Sequence, residues 1–191
     1  MSRAFFARPA DVVARDLLGK LLISDLGGAR VVLSVTETEA YLGRDDPASH
    51  AYLGRLHDGN RRLYSPPGTW YVYRSYGIHW CLNVVTAPTK HGAAVLFRGG
   101  EIVEGLPAVR RRRGDVPVQA LTNGPGKLCQ ALGIDRALDG LPMARSPVVV
   151  TRSGPVPEAE VRITPRIGIT KAAEWPLRYW WVTRRAKGRS T

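Results

Sequence analysis

The sequence predicts one domain built on hairpin-linked β-strands with two short helices beside them. Three observations carry this expectation. The chain has 191 residues, 44% hydrophobic and 23% charged, enough for a core without disulfide staples. Runs rich in β-branched and aromatic residues recur at 31–41, 69–85, 93–98, 147–151 and 177–182, which is the strand signature. Two segments, 9–19 and 123–133, combine an early proline with a late glycine, as helix ends prefer. No internal repeat, long linker or low-complexity segment divides the chain.

The charge balance narrows the partner. Lys and Arg number 28 against 16 Asp and Glu, giving a net charge of +12 and a pI near 10.4. Such a surplus points to a polyanion, nucleic acid first and acidic membrane second. Its arginine bias suits forked contacts to phosphate. Cys81 and Cys129 stand far apart with no CxxC pair, which leaves a disulfide framework or four-ligand zinc site unsupported and fits a reduced cytoplasmic setting. With no apolar leader and no run of about 18 apolar residues, the protein is expected to be neither secreted nor membrane-spanning.

Taken in order, residues 9–19 read as an amphipathic helix. Residues 20–24 read as a short strand that hairpins through Gly27-Gly28 onto the longest strand, 31–41. Alternation places Val31, Leu33, Val35, Glu37, Glu39 and Tyr41 on one face. That face should begin as core and end in two carboxylates and a tyrosine. Two readings stand for this end: acids leaving the core for solvent, or acids held still by a rigid strand for chemistry. The following polar stretch brings Asp45, Asp46, His50 and His57, which raises a metal without any recognisable ligand spacing.

After Tyr64-Ser65-Pro66-Pro67-Gly68, two aromatic-rich strands flank Ser75-Tyr76-Gly77, a hairpin with a tight apex. Tyr71 and Tyr73 share a face of the first strand. On the second, Ile78, Trp80, Leu82 and Val84 oppose His79, Cys81 and Asn83. Tyr76 at the tip fits either a wedge between base steps or a ring lying flat on its own hairpin. Residues 93–98 read as a buried strand ending in Arg98, which holds a phosphate or water, or caps the sheet edge. Arg110-Arg111-Arg112-Arg113 reads as a solvated face with a general attraction for phosphate.

At 123–133, Gly124, Pro125, Gly126 and Lys127 open a helix whose free N–H groups suit a DNA phosphate. An ordinary helix start reads equally well, and P-loop spacing is absent. Residues 155–160 read as a loop, 162–169 add arginines to a basic face, and 184–191 form a basic tail expected to fray. The domain is expected to span 1–183.

Several short motifs form an ordered series: Glu37-Thr38-Glu39-Ala40-Tyr41-Leu42-Gly43, Pro47-Ala48-Ser49-His50, Pro66-Pro67-Gly68, Tyr71-Val72-Tyr73-Arg74-Ser75-Tyr76-Gly77, Cys81-Leu82-Asn83 and Gly124-Pro125-Gly126-Lys127-Leu128-Cys129-Gln130-Ala131-Leu132. Their order and spacing closely resemble the alkyladenine (3-methyladenine) DNA glycosylase family, from about Arg8 to Trp181. The resemblance implies a single α+β domain: a curved antiparallel β-sheet, flanking helices and a protruding DNA-inserting β-hairpin. It implies a monofunctional enzyme without metal or other cofactor, a monomer acting on double-stranded DNA that contains alkylated or deaminated purines. Residue by residue, Glu39 matches the general base and Arg98 the arginine that positions water and sugar-phosphate. Tyr41, His50 and Tyr73 match residues lining the flipped-base pocket, Asn83 the residue crowding a guanine 2-amino group, and Tyr76 the intercalating residue. Arg74, Gly126 and Lys127 are the expected contacts to the DNA backbone. Leu63-Tyr64-Ser65 and Thr69 depart from the Met-Phe-Gly and His of bacterial members and bear on lesion preference.

These roles agree with the chemistry required. A base inside a duplex must be extruded before its glycosidic bond can be reached, and a flat alkylpurine stacks well between aromatic rings. Glu37, about 6.6–6.8 Å from Glu39 in rise, resembles the acid/base spacing of inverting glycosidases and is expected only to support. The alternative is a non-catalytic nucleic-acid-binding module on the same fold; an RNA-processing hydrolase is a further rival.

Overall fold

Strand β2 (Val31–Tyr41) runs through the middle of a curved, antiparallel, eight-stranded sheet in a computed structural model that describes residues 1–182. The other strands are β1 (Leu21–Ser24), β3 (Trp70–Ser75), β4 (His79–Val85), β5 (Ala94–Glu104), β6 (Val148–Thr151), β7 (Val161–Thr164) and β8 (Arg178–Trp181). They lie in the order β3-β4-β5-β2-β1-β6. Along one edge β2 changes partner: its first half pairs with β1, and Glu37, Thr38 and Glu39 pair with β8. The β7–β8 pair therefore completes the sheet beside the carboxylates. The basic segment 184–191 and the expected boundary after 183 lie outside the described residues.

Helix α1 (Arg3–Phe6) leads into α2 (Ala10–Leu17), for which Pro9 is the N-cap. Its Ala10, Val13, Ala14 and Leu17 are buried while Val12 faces solvent, the one-sided stripe of an amphipathic helix. Thr38 Oγ1 donates to Ala14 O at 2.8 Å, locking this helix to β2. Helices α3 (Leu106–Arg113) and α4 (Pro125–Leu132) pack together, with α4 also against β4 and β5. The main core includes Phe6, Leu33, Trp70, Leu82, Phe97 and Leu128, and a second cluster gathers Ala51, Leu63, Tyr71, Val85 and Ala94. Among the described residues no helix is long and apolar enough to cross a membrane.

The structure corrects the expected single face of β2. Val31, Leu33 and Val35 belong to the main core, but so does Ala40, and Thr38 points to α2. The alternation therefore slips by one residue between Val35 and Thr38. The register shows how: Val35 pairs with Gly100 and Glu37 with Gly99, which leaves Thr36 as an extra residue, and a second shift beside it leaves Arg98 unpaired. A bulge puts two consecutive side chains opposite one partner residue. A Cβ at Gly99 would lie 3.4 Å from Glu37 Cβ and 3.5 Å from Thr36 Oγ1, so the partner position faces both side chains of the bulge. Glu37, Glu39 and Tyr41 consequently face away from the core that Val31, Leu33 and Val35 build.

Two further expectations change. β5 does not end at Arg98 but continues through Gly99-Gly100 to Glu104, because the glycines sit against β2: a Cβ on Gly100 would lie 3.0 Å from Ser34 O. The arginine run is mostly committed. Arg112 donates to Ala131 O and Leu26 O at 2.9 and 2.6 Å, Arg113 to Leu121 O and Gln130 Oε1 at 3.1 and 2.6 Å, and Arg110 pairs with Asp115. Three of the four stitch surrounding structure rather than forming a free phosphate-seeking face.

Candidate active site

Beyond the bulge, the outward face of β2 meets β3, β4 and β5 around a cavity of about 500 Å³. Tyr41, His50, Tyr73, Asn83, Arg98 and Tyr76 line it, together with Tyr71, Cys81, Leu96 and Ile167. All four residues matched to a base pocket thus meet at one cavity. Glu39 stands directly behind its wall with no exposed surface, and its three neighbours Tyr41, Arg98 and Ile167 are all wall residues.

The Glu39 carboxylate is held from three sides. Ile167 N–H donates to Oε1 at 2.8 Å, Tyr41 O–H donates to Oε2 at 3.0 Å, and Arg98 Nε lies 3.3 Å from Oε1. A carboxylate offers about four lone-pair sites, so its accepting capacity is not exhausted by these partners, while its surface is closed to solvent. Burial raises the Glu39 pKa above the ordinary 4.5, opposed by Arg98, the Ile167 N–H and the Tyr41 hydroxyl. Burial and the adjacent carboxylate push the Tyr41 phenol far up, so it stays a donor. Burial works against the charge of Arg98, but Glu39 and Glu37 outweigh it and keep the guanidinium protonated.

Glu37 faces a different set of partners. Its Oε1 accepts from Arg98 Nε at 2.9 Å and from Arg178 Nε at 2.6 Å, while Arg178 Nη1 donates to Thr164 Oγ1 at 3.1 Å. Two arginines therefore clamp this carboxylate, and it in turn fixes Arg98 beside Glu39. These contacts make Glu37 the anchor of Arg98.

The aromatic wall is layered. Tyr71 and Tyr73 stack with centroids 5.4 Å apart, and the His50 ring meets Tyr73 edgewise at 4.6 Å. His50 Nδ1 lies 2.8 Å from the Tyr71 hydroxyl, and burial, then His57, lowers the His50 pKa. The imidazole is thus held neutral and oriented. Asn83 is buried, its Nδ2 donating to Tyr71 O and Cys81 O at 3.2 and 3.3 Å.

At the rim, Tyr76 is 88% exposed and adopts φ 50, followed by Gly77 at φ 67. Two successive positive φ values make the tight turn a hairpin favours, and a bulky residue pays strain to be there. The ring stands out into solvent rather than lying flat. Arg74 is exposed, its guanidinium 5.4 Å from the Trp80 ring centroid. Lys127 Nζ donates to Asn123 Oδ1 at 2.9 Å, and Gly126 lies where a Cβ would come 2.8 Å from His79 Cβ. Gly126 is thereby a seat for the hairpin as well as a helix start.

The metal idea finds no shared site among the described residues. Asp46 is bound to Arg166, Asp45 faces His91 at 3.7 Å, and His57 Nδ1 accepts from Gly59 N–H at 3.1 Å. Sequence reasoning also put Arg166 on a basic surface, whereas its side chain is fully buried. It missed Tyr71, Ile167 and Arg178 as site neighbours. For Tyr71 a signal existed, since it alternates with Tyr73 on one strand face; the other two come from a segment without a motif.

An occluded carboxylate backed by arginine, behind an aromatic cavity, suits an enzyme that holds a flat ring beside an acid–base group. The profile of the family described as Methylpurine-DNA glycosylase matches residues 4–185, and the chain belongs to that family. Its members are hydrolases acting on N-glycosidic bonds. The chain is 47% identical to a protein of Rhodopseudomonas palustris over 179 residues, 94% of this chain and 83% of the relative. It is equally identical to proteins of Granulibacter bethesdensis, over 92% of this chain and 81% of the relative, and of Myxococcus xanthus, over 94% and 89%. Each of the three relatives carries the name "Putative 3-methyladenine DNA glycosylase".

Proposed function

We propose that this glycosylase removes alkylated and deaminated purines from double-stranded DNA: 3-methyladenine first, with 7-methylguanine, hypoxanthine and ethenoadenine in the same class. The observation that carries the reading is the buried Glu39 carboxylate, held by three wall residues of a cavity that a flat base fits. Tyr76 enters the stack and fills the gap left by the extruded nucleotide. The base stacks in the cavity among Tyr41, His50 and Tyr73, where a cationic alkylpurine also gains cation–π attraction. Asn83 crowds the edge on which guanine carries its 2-amino group.

For a cationic alkylpurine the chemistry then needs one proton transfer. Water attacks C1′ of the sugar and gives its proton to Glu39, while the bond to the purine breaks with its electrons leaving on the base. Arg98, fixed by Glu37, positions the water and sugar-phosphate; the Glu39 carboxylate stabilises the oxocarbenium-like sugar. A positively charged 3-methyladenine leaves without help, whereas hypoxanthine and ethenoadenine need protonation. Arg74 and Lys127 contact backbone phosphates, with Gly126 seating the hairpin between them. The enzyme acts as a monomer without cofactor, in the cytoplasm on the nucleoid, as the first step of base excision repair.

The test is incubation with methylated duplex DNA followed by chromatographic identification of the freed base. Release of 3-methyladenine is expected. Lesion-independent DNA binding with no base released from methylated, hypoxanthine or ethenoadenine duplexes would instead indicate a binding module.

A further inference from the structure

Asp46 and Arg166 form a bridged ion pair with both side chains fully buried. Arg166 Nη2 donates to Asp46 Oδ1 at 2.9 Å, and Nη1 donates to Oδ2 and, at 3.0 Å, to Ala40 O. Asp46 additionally accepts the N–H groups of Leu42 and Ala48 at 3.1 and 3.0 Å. Three segments are tied together this way: the end of β2, the turn leading to His50, and the loop after β7. On the side facing the site, the Arg166 guanidinium lies 4.7 Å from the Tyr41 ring centroid. The next residue, Ile167, supplies the N–H on Glu39 Oε1, while Tyr41 supplies the hydroxyl on Oε2.

Stability alone is a poor account of this pair. Buried ion pairs are often no better for the fold than apolar residues of similar volume. Arg166 Nε, moreover, is buried without a hydrogen-bond partner. What the pair does uniquely is fix, through one guanidinium, both groups that donate hydrogen bonds to one carboxylate.

We infer that Asp46 and Arg166 are positioning residues for Glu39, holding Tyr41 by its ring and Ile167 by its backbone so that both hydrogen bonds reach the carboxylate. The catalytic consequence rests on the proposed role of Glu39 as base; the geometric claim does not. The groups facing Glu39 are Glu37 and Tyr41 from β2, Cys81 from β4, Arg98 from β5 and the Ile167 N–H, with Arg178 of β8 acting through Glu37. Of these, the pair controls Tyr41 and Ile167. Loosening two donors that favour the charged carboxylate raises its pKa.

The decisive variant is Asp46→Leu with Arg166→Met, which removes both charges together and leaves no unpaired ion. Its melting temperature establishes that it folds. Two readouts follow: the pH profile of 3-methyladenine release under single-turnover conditions, and the titration of the Glu39 carboxyl followed by carbon NMR without DNA. We expect release to fall about a hundredfold, the effect of roughly 1 Å of misplacement, with the acidic limb displaced to higher pH. The NMR titration should move the same way. Arg166→Lys keeps a cation but loses the fork, and it should show the same displacement in smaller measure, which keeps the test open if the double variant does not fold. A folded variant whose Glu39 titration matches the wild type overturns the inference, whatever its rate. A wild type that releases no base, with Glu39 titration still displaced in the variants, overturns the glycosylase reading and leaves the positioning intact.

Discussion

Replacing Glu39 by Gln separates chemistry from folding at a single group. The carboxylate is fully buried and accepts from Ile167 N–H at 2.8 Å and Tyr41 O–H at 3.0 Å. Glutamine has the same shape. Its oxygen can accept from Ile167, and the Tyr41 hydroxyl can rotate to accept from the new amide. The amide cannot take a proton from water. General-base catalysis supplies about 10²–10⁴ in rate, so base release should fall by that factor, about 2.7–5.4 kcal/mol at about 1.36 kcal/mol per tenfold. Stability should move the other way. Because burial raises the Glu39 pKa in the fold, the native state binds more protons than the unfolded one between the two pKa values. Stability is therefore lost as pH rises through that window, and above it the charged carboxylate opposes folding. At neutral pH the variant should melt at or above the wild-type temperature. Single-turnover release of 3-methyladenine and a thermal melt on the same preparation check both halves. A rate within tenfold of wild type would remove Glu39 as the base, and a melting temperature several degrees lower would refute the electrostatic account.

Tyr76→Gly relieves a strained backbone and removes an exposed ring; affinity for a lesion duplex should drop by about 1–3 kcal/mol with stability changed by about 0.5 kcal/mol at most. Gel-shift titration and melting decide, and undiminished lesion affinity counts against a wedge. Asn83→Ser vacates the space beside the base and should raise release of guanine-type bases relative to hypoxanthine; an unaltered ratio in competition assays would remove its selectivity role. Gly43→Ala places a methyl group at φ 77, where it would overlap His91 O and the Ala93 N. It should destabilise by about 1–3 kcal/mol, and an unchanged urea midpoint would show that the turn leading to His50 has room to yield.

What the sequence revealed depended on whether the signal was local. β2 was delimited to the residue, because a β-branched run bounded by Gly28 and Gly43 carries its own ends. The hairpin was equally legible, and strand alternation correctly joined Tyr71 with Tyr73 and Cys81 with Asn83. Alternation failed on β2 itself, since nothing in Val35-Thr36-Glu37 announces an extra residue; the bulge is a property of two strands whose partner residues lie over 60 positions apart. The same limit hid the Asp46–Arg166 pair, whose members are separated by 120 residues. Arginines illustrate the ambiguity best. Arg112, Arg113, Arg166 and Arg178 look alike in a basic sequence, yet three-dimensional context makes them stitches, a buried brace and a clamp rather than phosphate contacts.

The extra residue in β2 has a consequence for how this chain can change. It acts as a phase shift: upstream positions count inward on odd numbers, downstream positions on even ones. Deleting Thr36 would remove the bulge and keep the order, with Val35 inward, Glu37 outward, Thr38 inward and Glu39 outward, whereas straightening the strand with Thr36 retained would turn the Glu39 carboxylate and the Tyr41 ring toward α2. The number of residues between Val35 and Glu39 can therefore fall by one without turning the site inside out, provided the bulge goes with it. At this point of the chain the site is encoded by how two strands pair, and residue number matters only together with that pairing.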